Sequence, residues 1–218
     1  MARPRATRAR PAGPCRRLAA PPTHECRAAR SAPPWRGGTT AAWGYSNACR
    51  GGAVGDDRMN VVLGAGPVGR ALVERLVAAS RPVRVVTRSG RARVRGGVEV
   101  VAADVADETD ARRACADAGV VFGCVGLDYR GWPERWPPMM AGMLAGARSA
   151  EARFVFMDNL YMYGPVDQPM TEDMPLTGYG RKPATRAAIT RMWQEAHGDG
   201  QVEAVAVRAS DFYGPGVE

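Results

Sequence analysis

From residue 59 onward the chain switches between two rhythms of apolar and polar positions. Short aliphatic runs, "NVVLGAG" (60–66), "PVRVVTRSG" (82–90), "VEVVAADVAD" (98–107), "VVFGCVG" (120–126), "RFVFMDN" (153–159) and "VEAVAVRAS" (202–210), read as six strands. Between them apolar positions recur every three or four residues. The stretch 67–80 sets Val68, Leu72, Val73 and Leu76 on one helical face, and 184–198 does the same with Ile189, Met192, Trp193 and Ala196 before a C-capping Gly198. Residues 108–119 and 137–152 read as two further helices. Strands alternating with helices, the strands mostly apolar throughout, are what a parallel sheet covered on both faces requires. The expected fold class is α/β, a doubly wound parallel sheet of about six strands. Cys115 and Cys124 fall inside these patterns and are expected as small core residues, as are Met139, Met140, Met143 and Leu144.

The first strand runs into Gly64, Gly66 and Gly69, spaced G-x-G-x-x-G, and then directly into a helix. The glycines alone say little, but their place between a strand and a helix in a βαβ unit gives them chemistry. Gly64 permits the tight turn, Gly66 leaves room for a pyrophosphate, and Gly69 lets helix and strand approach. Pro67 and Val68 open the helix, whose free N–H groups would face the phosphates. A dinucleotide is the expected ligand. The second strand ends in Thr87, Arg88 and Ser89, with no carboxylate for a ribose 2′-hydroxyl. Arg88 can instead pair with a 2′-phosphate, which favours NADP over NAD. Asp104 and Val105 follow the third strand, and Gly126 closes "GCVG" after the fourth; all three are expected at the cofactor crevice.

Four stretches, "VVLGAGPVGRALVERL", "ADVAD", "FVFMDNLYMYGP" and "VRASDFYGPG", together resemble the extended short-chain dehydrogenase/reductase group, the NAD-dependent epimerase/dehydratase family, in the expected order. The resemblance implies a Rossmann-like fold and chemistry on a small carbonyl or hydroxyl compound, with a nucleotide sugar as one candidate. It also implies a Ser/Thr that polarises the carbonyl and a Tyr-x-x-x-Lys acid/base pair. Asn159 stands at the Ser/Thr position, and its amide can still donate to an oxyanion. The tyrosine is Tyr179, but its lysine is Lys182, one place early, with Pro183 in the expected slot. A proline there is expected to start the helix at or after 183 and leave Tyr179 and Lys182 on the entering loop. Arg186 offers a replacement cation and Tyr161 a second tyrosine on the substrate side, while Tyr163 reads as packing. With this atypical site, a non-catalytic NADP-binding sensor module stays open as the alternative. A homodimer is what the resemblance suggests, and the family's C-terminal substrate lobe is expected to be missing from the sequence.

Charge changes the picture only at the start. Of the net +8, residues 1–58 hold eleven arginines against three acids, and the remaining nineteen basic residues meet nineteen acids. That first segment is rich in Arg, Pro and Ala without apolar periodicity, so it reads as a disordered basic extension, with residues 59–218 as the folded domain and Met59 as its natural start. Nucleic-acid binding by residues 1–58 is the weaker reading of its charge. An odd five cysteines and no apolar signal segment fit a reducing, cytoplasmic setting. No metal site is expected, because His24 and Cys26 lack a second pair at ligand spacing. No run approaches the roughly 20 apolar residues of a membrane span.

Overall fold

The computed structural model describes residues 57–213, which form one six-stranded parallel sheet in the order β3-β2-β1-β4-β5-β6. The strands are β1 (Met59–Leu63), β2 (Val83–Thr87), β3 (Glu99–Ala102), β4 (Ala118–Gly123), β5 (Arg153–Asn159) and β6 (Ala204–Ala209). The helices are α1 (Pro67–Ala78), α2 (Glu108–Ala114), α3 (Trp132–Ser149) and α4 (Arg181–Gly198). Of the Arg-rich extension only Asp57 and Arg58 are described; the disorder expected for it and the His24/Cys26 pair lie outside the described residues. Arg58 itself is tied to the fold, donating to the carbonyls of Ala118 and, at 2.6 Å, Ala150.

Alternation along β1 sorts the two faces. Val61 and Leu63 point into a large core shared with α2, α3 and α4, while Val62 joins Val73, Val83 and Val85 in a smaller one beneath α1. The methionines expected as core are core: Met139, Met140 and Met143 are buried. Cys115 is fully buried and Cys124 half-buried, and burial pushes each thiol up to about 11. Small residues let α3 close on the loop after β3. A Cβ at Gly142 would lie 2.0 Å from the Val105 carbonyl oxygen.

Two helices begin earlier than the pattern suggests. Helix α3 starts at Trp132 and carries Pro137 and Pro138 in its interior. Two prolines remove two backbone donors, but Trp132 and Trp136, one turn apart, are both buried at an edge-on ring distance of 6.1 Å, and that burial holds the turn. Helix α4 starts at Arg181, not at or after 183. Pro183 is its third residue, where a missing N–H is one the helix would leave unbonded anyway. Gly180, at φ 74°, makes the sharp entry that frees Lys182 for the first turn.

Candidate functional site

The glycines after β1 do three separate jobs. Gly64 takes φ +101°, and a Cβ on it would strike the Cys124 carbonyl oxygen at 2.8 Å, so the turn leans on the loop after β4. A Cβ at Gly69 would sit 2.1 Å from the Gly64 oxygen, which is how closely α1 crosses the end of β1. Gly66, at the N-cap of α1, meets nothing within 4 Å. Its bareness serves no packing purpose, so it leaves space that a ligand can fill. Pro67 opens the helix and the next N–H groups, from Val68 and Gly69, have no acceptor within it. The pyrophosphate of a dinucleotide therefore fits this cradle on the geometry of its backbone.

Other residues expected at the crevice lie at the C-terminal ends of neighbouring strands, outside which ligands bind in such sheets. Thr87 ends β2 and shapes its loop: its hydroxyl donates to the Arg91 carbonyl at 3.1 Å and accepts the Arg91 N–H at 3.2 Å. Arg88 is exposed beyond it, and Arg91, Arg93 and Arg95 follow on the same loop, also exposed. Asp104 is exposed and accepts the Ala106 N–H, while Val105 turns into the core. Gly126 is open, with nothing within 4 Å of where a Cβ would stand. Among the described residues no cluster of His, Cys, Asp and Glu could hold a metal ion, and no helix is long and apolar enough to cross a membrane.

Asn159 is the last residue of β5 and is 9 % exposed. Its Oδ1 accepts the Tyr161 N–H at 3.1 Å, which turns the amide NH₂ outward as a donor. The residue beneath it, Asp158, was invisible as a functional group in the sequence. Fully buried at its side chain, it accepts the Asn159 N–H at 2.9 Å and pairs with Arg186 Nη1 at 3.2 Å, with Arg208 Nε 3.8 Å from its other oxygen. Burial raises the Asp158 carboxyl above its ordinary value, against the pull of Arg186, the Asn159 N–H and Arg208; burial also lowers Arg186. Arg208 donates at 2.5 Å to the hydroxyl of buried Tyr163, whose titration burial likewise pushes up. Tyr163 is thus a packing residue, as its pattern suggests.

Arg186 also lies against an aromatic floor, 4.7 Å from the Trp132 ring centre and 4.2 Å from that of Trp136. Trp132 is locked by an indole donation to the Leu127 carbonyl at 3.1 Å, and packs against Tyr129 and Tyr161 with centroids at 5.1 and 5.9 Å. The Lys182 ammonium sits 3.7 Å over the Tyr129 ring. Tyr179, on the loop before Gly180, is 69 % exposed and has no hydrogen-bond partner among the described residues. Lys182 and Tyr161 therefore converge on one cluster with Tyr129, and Tyr179 stands outside it. Tyr129, Trp132 and Asp158 escaped the sequence reading; the only signals were an acid inside an apolar strand and tryptophans four apart. A groove of about 310 Å³ lined by Leu144, Met192 and Val202 lies on the flank between α3 and α4, away from this cluster.

A family model described as the NAD-dependent epimerase/dehydratase family matches residues 61–218. No curated protein matches the chain. Among solved structures, a UDP-galactose 4-epimerase is 25 % identical with a TM-score of 0.65, over 73 % of this chain and 58 % of its own. A short-chain dehydrogenase/reductase superfamily protein from Agrobacterium tumefaciens with bound NAD is 25 % identical with a TM-score of 0.57, over 69 % of this chain and 48 % of its own. A UDP-N-acetylglucosamine 4-epimerase from Methanobrevibacter ruminantium M1, in complex with UDP-N-acetylmuramic acid, has a TM-score of 0.66 at 16 % identity, over 75 % and 58 %, and speaks for the fold alone. The chain thus spans about half to three-fifths of the structures it resembles.

Proposed function

Since the chain belongs to the NAD-dependent epimerase/dehydratase family, we propose that its folded domain, residues 59–218, binds a nicotinamide dinucleotide and supports hydride exchange at a carbonyl or hydroxyl carbon of a small molecule. The observation that carries this reading is Gly66, whose missing side chain opens space at the N-terminus of α1 where Gly64 and Gly69 are bare for packing reasons. A nucleotide sugar is the proposed substrate class, supported by the UDP-sugar epimerases among similar structures. When bound, the nicotinamide supplies the hydride acceptor and donor.

The chain's own residues do the rest. Val68 and Gly69 offer backbone N–H groups to the diphosphate, and the Asn159 amide donates to the substrate oxygen as charge develops there, a contribution of about 3–4 kcal/mol to the barrier in comparable donors. Lys182 supplies positive charge at the rim. The tyrosine that the family spacing names as acid/base is Tyr179. For the cofactor we propose a preference for NADP, supported by Arg88 and the other exposed arginines of its loop and by the missing carboxylate at the end of β2. Against it stands the NAD bound to the Agrobacterium relative.

Calorimetric titration of the chain with NADP and with NAD tests both levels. Saturable binding of either upholds the site, and tighter binding of NADP upholds the preference. Heat-silent titrations that also leave tryptophan fluorescence unchanged would remove the proposal.

A further inference from the structure

Proton transfer at this site needs a hydroxyl beside Asn159, and the fold places one there that the family spacing does not name. Resting on the function proposed above, we infer that Tyr161 is the proton donor of the reaction and Tyr129 its link to water. Tyr161 follows Asn159 by two residues and is bonded to it through its own N–H. Its hydroxyl lies 3.4 Å from that of Tyr129, which is 52 % exposed on the outer side of the pair.

Charges around the pair suit a transient phenolate. The Lys182 ammonium covers the Tyr129 ring, and the field of Arg186 reaches both hydroxyls from beneath Trp132. Asp158 fixes Arg186 in place but is itself buried. Asp211, beyond β6, is the acid whose field opposes them at Tyr161. In the resting protein the bond to Tyr129, then burial, holds the Tyr161 proton above the ordinary value of 10.0, so the group stands ready as an acid. Tyr179 has none of these partners.

The step balances. In the reducing direction a hydride passes from a reduced nicotinamide dinucleotide to the carbonyl carbon, the C=O π bond opens, and the Tyr161 O–H bond breaks to give its proton to the oxygen. The products are the alcohol, the oxidised dinucleotide and a Tyr161 phenolate. Tyr129 then yields its hydroxyl proton to that phenolate and regains one from water. Oxidation of an alcohol runs the same path backwards.

Two measurements on the full chain decide this. Phenolate absorbance during alkaline titration needs no ligand. Tyr161→Phe removes one tyrosine that titrates above its ordinary value, and Tyr129→Phe moves that same tyrosine downward. Tyr161→Phe removing only an ordinary tyrosine, or Tyr129→Phe changing nothing else, overturns the assignment. Where the chain forms NADH or NADPH from UDP-glucose and the oxidised cofactor in a single turnover, Tyr161→Phe slows it about a hundredfold, within the range for a lost general acid or base. Tyr179→Phe changes it less than about threefold, and both variants bind cofactor as the parent does. The opposite order of effects overturns the inference while leaving the proposed function standing. A parent chain that binds neither cofactor overturns the function, and the tyrosine's role with it.

Discussion

Gly66 and Gly69 are both glycines of one short motif, yet replacing each with alanine has opposite consequences. At Gly66 the backbone has φ −68° and ψ −175°, which alanine adopts freely, and the new methyl meets nothing within 4 Å. Losing glycine at an N-cap costs up to about 1 kcal/mol, and stiffening the unfolded chain returns about 0.4–1 kcal/mol, so stability should stay within about 1 kcal/mol of the parent. At Gly69 the methyl would lie 2.1 Å from the Gly64 oxygen, well inside the 3.0 Å that such contacts respect. Helix α1 must move by about 1 Å, at the 1–3 kcal/mol or more typical of overpacking. At Gly66 the effect should appear in binding instead. A methyl there holds a diphosphate off the helix N-terminus and weakens one charge-assisted hydrogen bond of about 1.5–3 kcal/mol, an affinity loss of about ten- to a hundredfold. Urea denaturation and cofactor calorimetry on the two variants measure both quantities. Gly66→Ala with parental stability and parental affinity for NADP and NAD would show that no diphosphate rests against this turn.

Other perturbations probe the remaining parts of the site. Asp158→Ala strands two largely buried guanidiniums, those of Arg186 and Arg208, and should cost about 3–5 kcal/mol in a urea unfolding experiment; a loss under about 1 kcal/mol would mean the carboxylate does not hold them. Arg88→Ala should weaken NADP binding at least about tenfold and leave NAD unaffected, as expected for a lost 2′-phosphate contact; equal effects on the two cofactors would place Arg88 elsewhere. Cys115 keeps its proton to about 11 when folded but to 9.0 when exposed, so its stabilisation is complete below pH 9 and is lost as pH rises through the folded value. The stability advantage of the parent over Cys115→Ala should therefore shrink by about 2 kcal/mol between about pH 8 and pH 10.5. A constant difference across that range would mean the thiol is not desolvated.

The order of strands and helices, the parallel sheet and the bare cofactor turn were legible along the chain because each rests on local rules. Aliphatic runs become strands, 3.6-residue periodicity becomes helix, and the three glycines answer to backbone needs within six residues. Pro137, Pro138 and Pro183 misled for a matching reason: proline rules describe a lone helix, and burial of Trp132 and Trp136, or a place in the first turn, outweighs them. Only the tertiary structure decided which side chains share the substrate rim. Tyr129 and Tyr161 come from two separate connections and Lys182 and Arg186 from a helix, and they meet because β4 and β5 are neighbours in the sheet and α4 packs across α3. The Asp158–Arg186 pair spans twenty-eight positions and is held by low dielectric and aromatic packing, neither of which leaves a mark on local sequence.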